Sequence, residues 1–426
     1  MESRPRHVVI IGGGFAGLAC ARKLASREAF RVTLLDRHNH HLFQPLLYQV
    51  ATTTLTAPDI ARSLRSLFAT EKRVDVLYDE AESIHLAEKE ISLASGSSLA
   101  YDALVIAAGA RTTFFGNDQW ASHVHQLKTL RDAMNIRRDV LRNLEYADQS
   151  SASTRELHST VIIVGGGPTG VELAGAFCDL VKRNMKRNFR SFDPMEQRII
   201  LLEGMDRLLG AFSDELADYT KEHLTSLGVD VRTNALVEDI QHQQVTLKNG
   251  EVLRGATIIW TAGVEANPIT RNLEPKIDLT RGGLVLVEPD LSIPGYPSAF
   301  VVGDAAAVKQ PDGSWVPGVA PAATQGGEHV AEIISTMSLE ETREHAPFRY
   351  KDKGQMAIIS KGSAVVEIQD WKAKGWLGWN LWLFVHLLFL VDFRSKFAVL
   401  ASWFWAYIKN VPGTRVFTES SSESAS

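Results

Sequence analysis

"VVIIGGGFAGLACARKL", residues 8–24, and "TVIIVGGGPTGVELAGA", residues 160–176, are nearly the same sentence written twice, about 150 residues apart. Each opens on an apolar run rich in Val and Ile, crosses a glycine cluster and continues in an Ala/Leu pattern. That order reads as strand, tight turn, helix. Gly12, Gly14 and Gly17 hold the Gly-x-Gly-x-x-Gly positions of the first copy, and Gly165, Gly167 and Gly170 those of the second. The first glycine permits the turn, the second lets the backbone approach a pyrophosphate, and the third lets helix and strand pack closely. The helix N-terminus adds free amide donors and a partial positive charge.

The flanking sequence supports both copies. FRVTLLDRH (30–38) follows the first as a second strand ending in Asp36, where an acid meets an adenosine ribose hydroxyl. QRIILLEGMD (197–206) follows the second and ends its strand in Glu203. Glu203 lies farther on than the usual spacing of about 20 residues, and the insert KRNMKRNFRSFDPME (182–196) supplies the excess. Two dinucleotide sites in one chain imply two dinucleotides that exchange electrons. Acids at both ribose positions favour NAD over NADP, since a 2′-phosphate would be repelled; Arg207, just past Glu203, is the cation that works against that preference. YDALVIAAGA (101–110) reads as another strand and small-residue turn. SAFVVGDAAAV (298–308) reads as a strand, then Gly303-Asp304, then the start of a helix, with Asp304 bonding a ribityl hydroxyl or capping that helix.

The rest of the chain sets the frame. At 426 residues it is too long for one simple core, and the pattern is α/β. A net charge of −5 argues against a nucleic-acid partner. Two cysteines, Cys20 and Cys178, provide no disulfide framework and no cysteine metal site, and no metal is expected. The N-terminus enters a strand at once, without the apolar core of a signal peptide, so a reducing compartment is expected. SASTRELHST (151–160) reads as a linker into the second copy. Six of the nine tryptophans fall between residues 371 and 405. There, the apolar run Leu381–Val391 is interrupted only by His386, and Phe397, Leu400, Ala401, Phe404 and Ile408 form a second, one-faced stripe. The first run is shorter than the roughly 20 residues of a spanning helix. The expectation is two helices lying in a membrane interface, with Trp, Tyr, Arg and Lys at headgroup level; a domain core or a homodimer seam is the alternative. The final TESSSESAS is expected to be disordered.

With these residues in view, the chain resembles flavoproteins with two dinucleotide-binding domains, and among them the type II NADH dehydrogenases, NADH:quinone oxidoreductases. The resemblance is carried by HHLFQPLLYQVAT (40–52), GGGPTGVELAG (165–175), WTAGV (260–264), FVVGDAA (300–306) and GVAPAATQGG (318–327). It implies two nested Rossmann-like domains: an FAD domain over residues 1–112 and 281–345, an NADH domain over 113–280, a membrane-anchoring region over 346–415 and a tail over 416–426. It implies FAD on Gly12, Gly14, Gly17, Asp36, Gly303 and Asp304, and NADH on Gly165, Gly167, Gly170 and Glu203. Glu172, placed in the first turn of its helix, would reach the nicotinamide amide beside the flavin, and Gln325 would face the quinone. Family members often carry Ala-Gln-x-Ala-x-Gln; here Pro321 replaces the first glutamine, which puts the weight on Gln325.

The implied activity is two-electron transfer from NADH through FAD to ubiquinone or menaquinone without proton pumping, at the cytoplasmic face of the cell membrane as a peripheral protein. Disulfide reductases and sulfide:quinone oxidoreductases need reactive cysteines that this chain lacks. A soluble ferredoxin reductase leaves the tryptophan-rich end unexplained. A redox-responsive scaffold carrying both nucleotides is the reading from another class.

Overall fold

The computed structural model describes residues 4–181, 189, 191, 193–336, 345–408 and 416–417. Most of the 182–196 insert, and residues 418–426 of the tail expected to be disordered, lie outside the described residues. The chain forms two compact units. The first comprises Met1–Leu42, Ala61–Arg111 and Val264–Lys353; the second comprises Phe43–Ile60, Thr112–Gly263 and Gly354–Ser426.

The first unit is built on a six-stranded sheet in the order Ser292–Ile293, Tyr296–Val301, Ala103–Ile106, Arg6–Ile11, Phe30–Asp36, Val74–Tyr78. The Arg6–Ile11 strand pairs in parallel with Phe30–Asp36 on one side and Ala103–Ile106 on the other. Parallel strands covered on both faces bury nearly every residue, and Val8, Val9, Ile10, Leu104, Val105 and Ile106 are all inaccessible. Helix Phe15–Ala25 follows the first strand directly, and helix Ala320–Thr336 packs along it. Their approach is backbone-close: a Cβ on Gly327 would overlap the carbonyl of Ala16.

The second unit repeats the plan on a smaller scale. Its sheet runs Asp230–Arg232, Arg198–Leu202, Thr160–Val164, Thr257–Trp260, again in parallel. Helix Pro168–Cys178 follows the central strand. It lies against the antiparallel sheet Gln355–Ser360, Ser363–Ile368, Trp371–Lys374, so tightly that a Cβ on Gly175 would overlap the Ile359 carbonyl. Within SASTRELHST, Ala152–His158 is helical, and the Arg155 guanidinium ties it to the Ala147 and Ser150 carbonyls at the end of the preceding helix.

Two helices close the chain, Gly375–Phe389 and Phe393–Trp403, the second continuing into a π-turn over Phe404–Ile408. Asp392 caps the second through Ser395 N–H at 2.7 Å, which accounts for the break between the two apolar runs. Their surface is divided. Trp382, Val399 and Trp403 point inward, whereas Trp376, Leu377, Phe384, Leu388, Phe389, Phe393 (84 % exposed), Phe397 and Leu400 face out. Among the described residues no helix is long and apolar enough to cross a membrane.

Candidate active site

In the first unit the chain leaves the Arg6–Ile11 strand through Gly12, whose φ of +104° is reserved for glycine and whose missing Cβ would sit on the Ala107 carbonyl. Gly17 has no room either, since a Cβ there would overlap the Gly12 carbonyl. Gly14 differs: nothing lies within 4 Å of its Cβ position. Gly14 is also the N-cap of helix Phe15–Ala25, with no side chain capping the helix and no acid in its first turn. The terminal amides are thus left for an anion beside open backbone, as a pyrophosphate requires. Asp36 holds the loop, accepting Gly13 N–H at 2.6 Å and His38 N–H at 2.6 Å.

The second unit reproduces this cradle group by group. Gly165 takes φ +112° against Thr261 and Ala262, Gly170 packs on the Gly165 carbonyl, and Gly167 is open and caps helix Pro168–Cys178 without a side-chain bond. Glu203 stands where Asp36 does, accepting Gly166 N–H at 2.6 Å and Met205 N–H at 2.8 Å. The longer Glu side chain spans the same pair of amides. Arg207 is engaged elsewhere: it pairs with Asp214 and donates to the Gly210 carbonyl at 3.0 Å.

Gly303 and Asp304 border a cavity within the first unit, together with Ala110, Glu265, Val302, Gly318, Ala322 and Gly326. The helix expected directly after Asp304 is absent. Gly303–Ala305 is a single 3₁₀ turn followed by a short strand, because Pro311 and the Asp312-Gly313 turn fold the next residues back, pairing Lys309 with Trp315. The long helix begins only at Ala320, and its N-terminal approach at Gly318 passes beside the Asp304 carboxylate. Asp304 lines the cavity as an acid. Gln325 lies in the second turn of that helix, and its amide is paired with Lys351 in both directions, Nε2 to the carbonyl and Oε1 from N–H, each at 3.0 Å.

Glu172 needs a correction of place. Helix Pro168–Cys178 starts at Pro168 and has no acid in its first turn; Glu172 is its fifth residue, one turn deeper than expected. It lines a small pocket within the second unit, with Tyr48, Gln49, Asp179, Ile358, Lys361 and Tyr407. Burial pushes its carboxyl well above the ordinary value, only partly offset by a hydrogen bond to the Ile358 backbone. A carboxyl held towards its neutral form in a cavity with two phenols can donate as well as accept a proton.

Tyr48 and Gln49 belong to the 40–52 stretch, and sequence reasoning did not single them out. Gln49 is 1 % exposed; its amide bonds Tyr48 and the Trp403 indole, a pairing across 354 positions that no local pattern announces. His386 stacks on Trp382 at 3.9 Å and bonds its carbonyl; burial draws its pKa down to about 4, so it is a neutral packing ring. His41, fully buried, bonds the Gly13 carbonyl at 2.9 Å and props the first cradle from behind. Cys20 and Cys178 are both buried and form no disulfide, and burial lifts the Cys20 thiol to about 12. The Cys20 thiol is therefore not a reactive thiolate.

Comparison with known proteins agrees with this construction. The pyridine nucleotide-disulphide oxidoreductase family model matches residues 6–327. The type II NADH:quinone oxidoreductase Ndh of Mycobacterium tuberculosis is 38% identical over 98% of this chain and 91% of its own. The structure of NDH2 from Plasmodium falciparum in complex with NADH shares the fold with a TM-score of 0.89 at 20% identity, covering 97% of this chain and 100% of that one. The sulfide:quinone oxidoreductase of Aquifex aeolicus shares it with a TM-score of 0.72 at 18% identity, over 92% of both chains. Twin glycine cradles, each with its acid, and near full-length relatedness place the chain in the pyridine nucleotide-disulphide oxidoreductase family, among the type II NADH:quinone oxidoreductases.

Proposed function

We infer that this protein is a FAD-dependent NADH:quinone oxidoreductase that passes two electrons from NADH to a quinone without pumping protons. The 38% identity to a type II enzyme over 98% of the chain carries this reading. FAD, when bound, supplies the two-electron carrier between the nicotinamide and the quinone.

The residues fit both nucleotides. Gly12, Gly14 and Gly17 with Asp36 would hold the adenosine diphosphate part of FAD, and Gly303 and Asp304 its ribityl and ring end. Gly165, Gly167, Gly170 and Glu203 would hold NADH. With Arg207 committed to Asp214 and Gly210, the NADH cradle presents only a carboxylate to the ribose, and NADPH is disfavoured. Glu172 would orient the nicotinamide amide and, being held towards its neutral form, exchange a proton in its cavity. Gln325 contributes on the quinone side by fixing the Lys351 backbone that it brackets, since both ends of its amide are engaged there.

The outward apolar face of the two C-terminal helices supports peripheral attachment to a membrane surface, where a quinone with a lipid tail resides; attachment at the cytoplasmic face is part of the same proposal. Exposed aromatic side chains in this number, next to Arg394 and Lys396, match an interfacial helix. A homodimer seam over the same face is the competing use, and binding of the purified protein to liposomes against its mass in solution separates the two.

Purified protein reconstituted with FAD tests the reading. NADH oxidation should require quinone and exceed NADPH oxidation; turnover independent of quinone, or faster with NADPH, overturns it.

A further inference from the structure

The aromatic C-terminal segment and the Glu172 cavity are joined by one buried chain of hydrogen bonds, and donor–acceptor counting gives that chain a direction. The Trp403 indole N–H can only donate, and its partner at 2.7 Å is therefore the Gln49 oxygen, Oε1. This fixes the amide orientation, which leaves the Gln49 NH₂ to serve the Tyr48 hydroxyl at 2.9 Å and also Tyr407. A Tyr48 oxygen that accepts from Gln49 keeps its own proton for another direction. Trp403, Gln49 and Tyr48 are each almost inaccessible, and Tyr48 and Gln49 both line the cavity that contains Glu172.

We propose that Trp403 and Gln49 are positioning residues that turn the Tyr48 hydroxyl into a hydrogen-bond donor aimed at the Glu172 cavity. This rests on the reading of Glu172 as the proton-exchanging group. Without the Trp403 N–H, the Gln49 amide is free to rotate and offer its oxygen to Tyr48; the phenol then donates to Gln49, and the cavity loses a donor. Other groups face Glu172 as well. Asp179 lies just beyond the end of its own helix, the Ile358 backbone and Lys361 come from the adjoining strand and its turn, and Tyr407 comes from the C-terminal π-turn. Of these, only Tyr48 and Tyr407 are governed by the Gln49 amide.

The test reads the Glu172 carboxyl directly. Infrared difference spectra of the full-length FAD-loaded protein are taken across pH, following the protonated-carboxyl band that Glu172→Gln removes. Trp403→Phe deletes the N–H, and Tyr48→Phe deletes the hydroxyl while keeping the ring. A donor in the cavity favours the carboxylate, so each variant should raise the band's midpoint by about one unit, and the double variant should raise it no further. An unshifted midpoint in Tyr48→Phe, additive shifts in the double variant, or no titrating band attributable to Glu172 overturns the proposal. Should Trp403→Phe fail to fold, Tyr48→Phe alone decides. The pH profile of quinone reduction, taken in parallel, isolates the underlying reading: a band that shifts while the profile does not means that Tyr48 tunes Glu172 but that Glu172 does not limit turnover.

Discussion

Glu203 binds Gly166 N–H through Oε2 at 2.6 Å, and its other oxygen takes Met205 N–H at 2.8 Å. One carboxylate therefore fixes both the glycine turn and the loop beyond the strand, at the position where a nucleotide ribose would sit. Charge-assisted bonds of this kind contribute about 1.5–3 kcal/mol each. Glu203→Ala should raise KM for NADH at least tenfold and leave kcat within about threefold, and it should narrow the preference over NADPH. Steady-state kinetics with both coenzymes checks this.

Glu172 gives a signed pH dependence. Its folded-state pKa is raised by burial, so the folded protein holds a proton that the unfolded chain releases. Stability is then fully present below the ordinary carboxylate range and falls as pH rises through the raised value. Glu172→Gln cannot ionise and removes this slope. Thermal melts between pH 5 and about 9 should show the wild-type protein losing more stability than the variant as pH rises.

Thr53 is fully buried with φ +67°, a β-branched residue in the left-handed region, and its hydroxyl has no partner. Such a conformation costs about 1–2 kcal/mol, and the unpaired hydroxyl adds to that. Thr53→Gly should raise Tm by a few degrees, measured calorimetrically on the FAD-loaded protein.

The exposed face of the C-terminal helices is testable by deletion of its area. Replacing Phe393, Phe397 and Leu400 by serine removes three largely exposed, outward side chains. At about 1.5–3 kcal/mol for each buried side chain, liposome binding should fall more than a hundredfold. Activity towards a water-soluble quinone should persist.

The glycine cradles and their acids were legible in the sequence because strand, turn, helix and acid follow each other locally, and Gly12, Gly17, Gly165 and Gly170 each answer a local steric demand. Glu172 was misplaced by one turn because Pro168, rather than a later residue, starts the helix; the proline at N1 is itself the signal. The helix expected after Asp304 was overridden by Pro311 and Asp312-Gly313, turn residues visible in the sequence a few positions downstream. Tyr48, Gln49 and Trp403 were out of reach for a different reason. Their association depends on tertiary packing between stretches 354 positions apart, and periodicity carries no information about such pairs.

The central claim is that two separate cradles hold two nucleotides, and the open glycines test it most directly. Cβ atoms at Gly14 and Gly167 meet no protein atom within 4 Å, whereas those at Gly17 and Gly170 collide with backbone. Gly14→Ala and Gly167→Ala should therefore both fold, and bound-flavin absorbance with NADH titration should separate them. The account predicts that Gly14→Ala loses FAD, while Gly167→Ala keeps FAD and loses NADH affinity. Both variants retaining both nucleotides at wild-type affinity would contradict it.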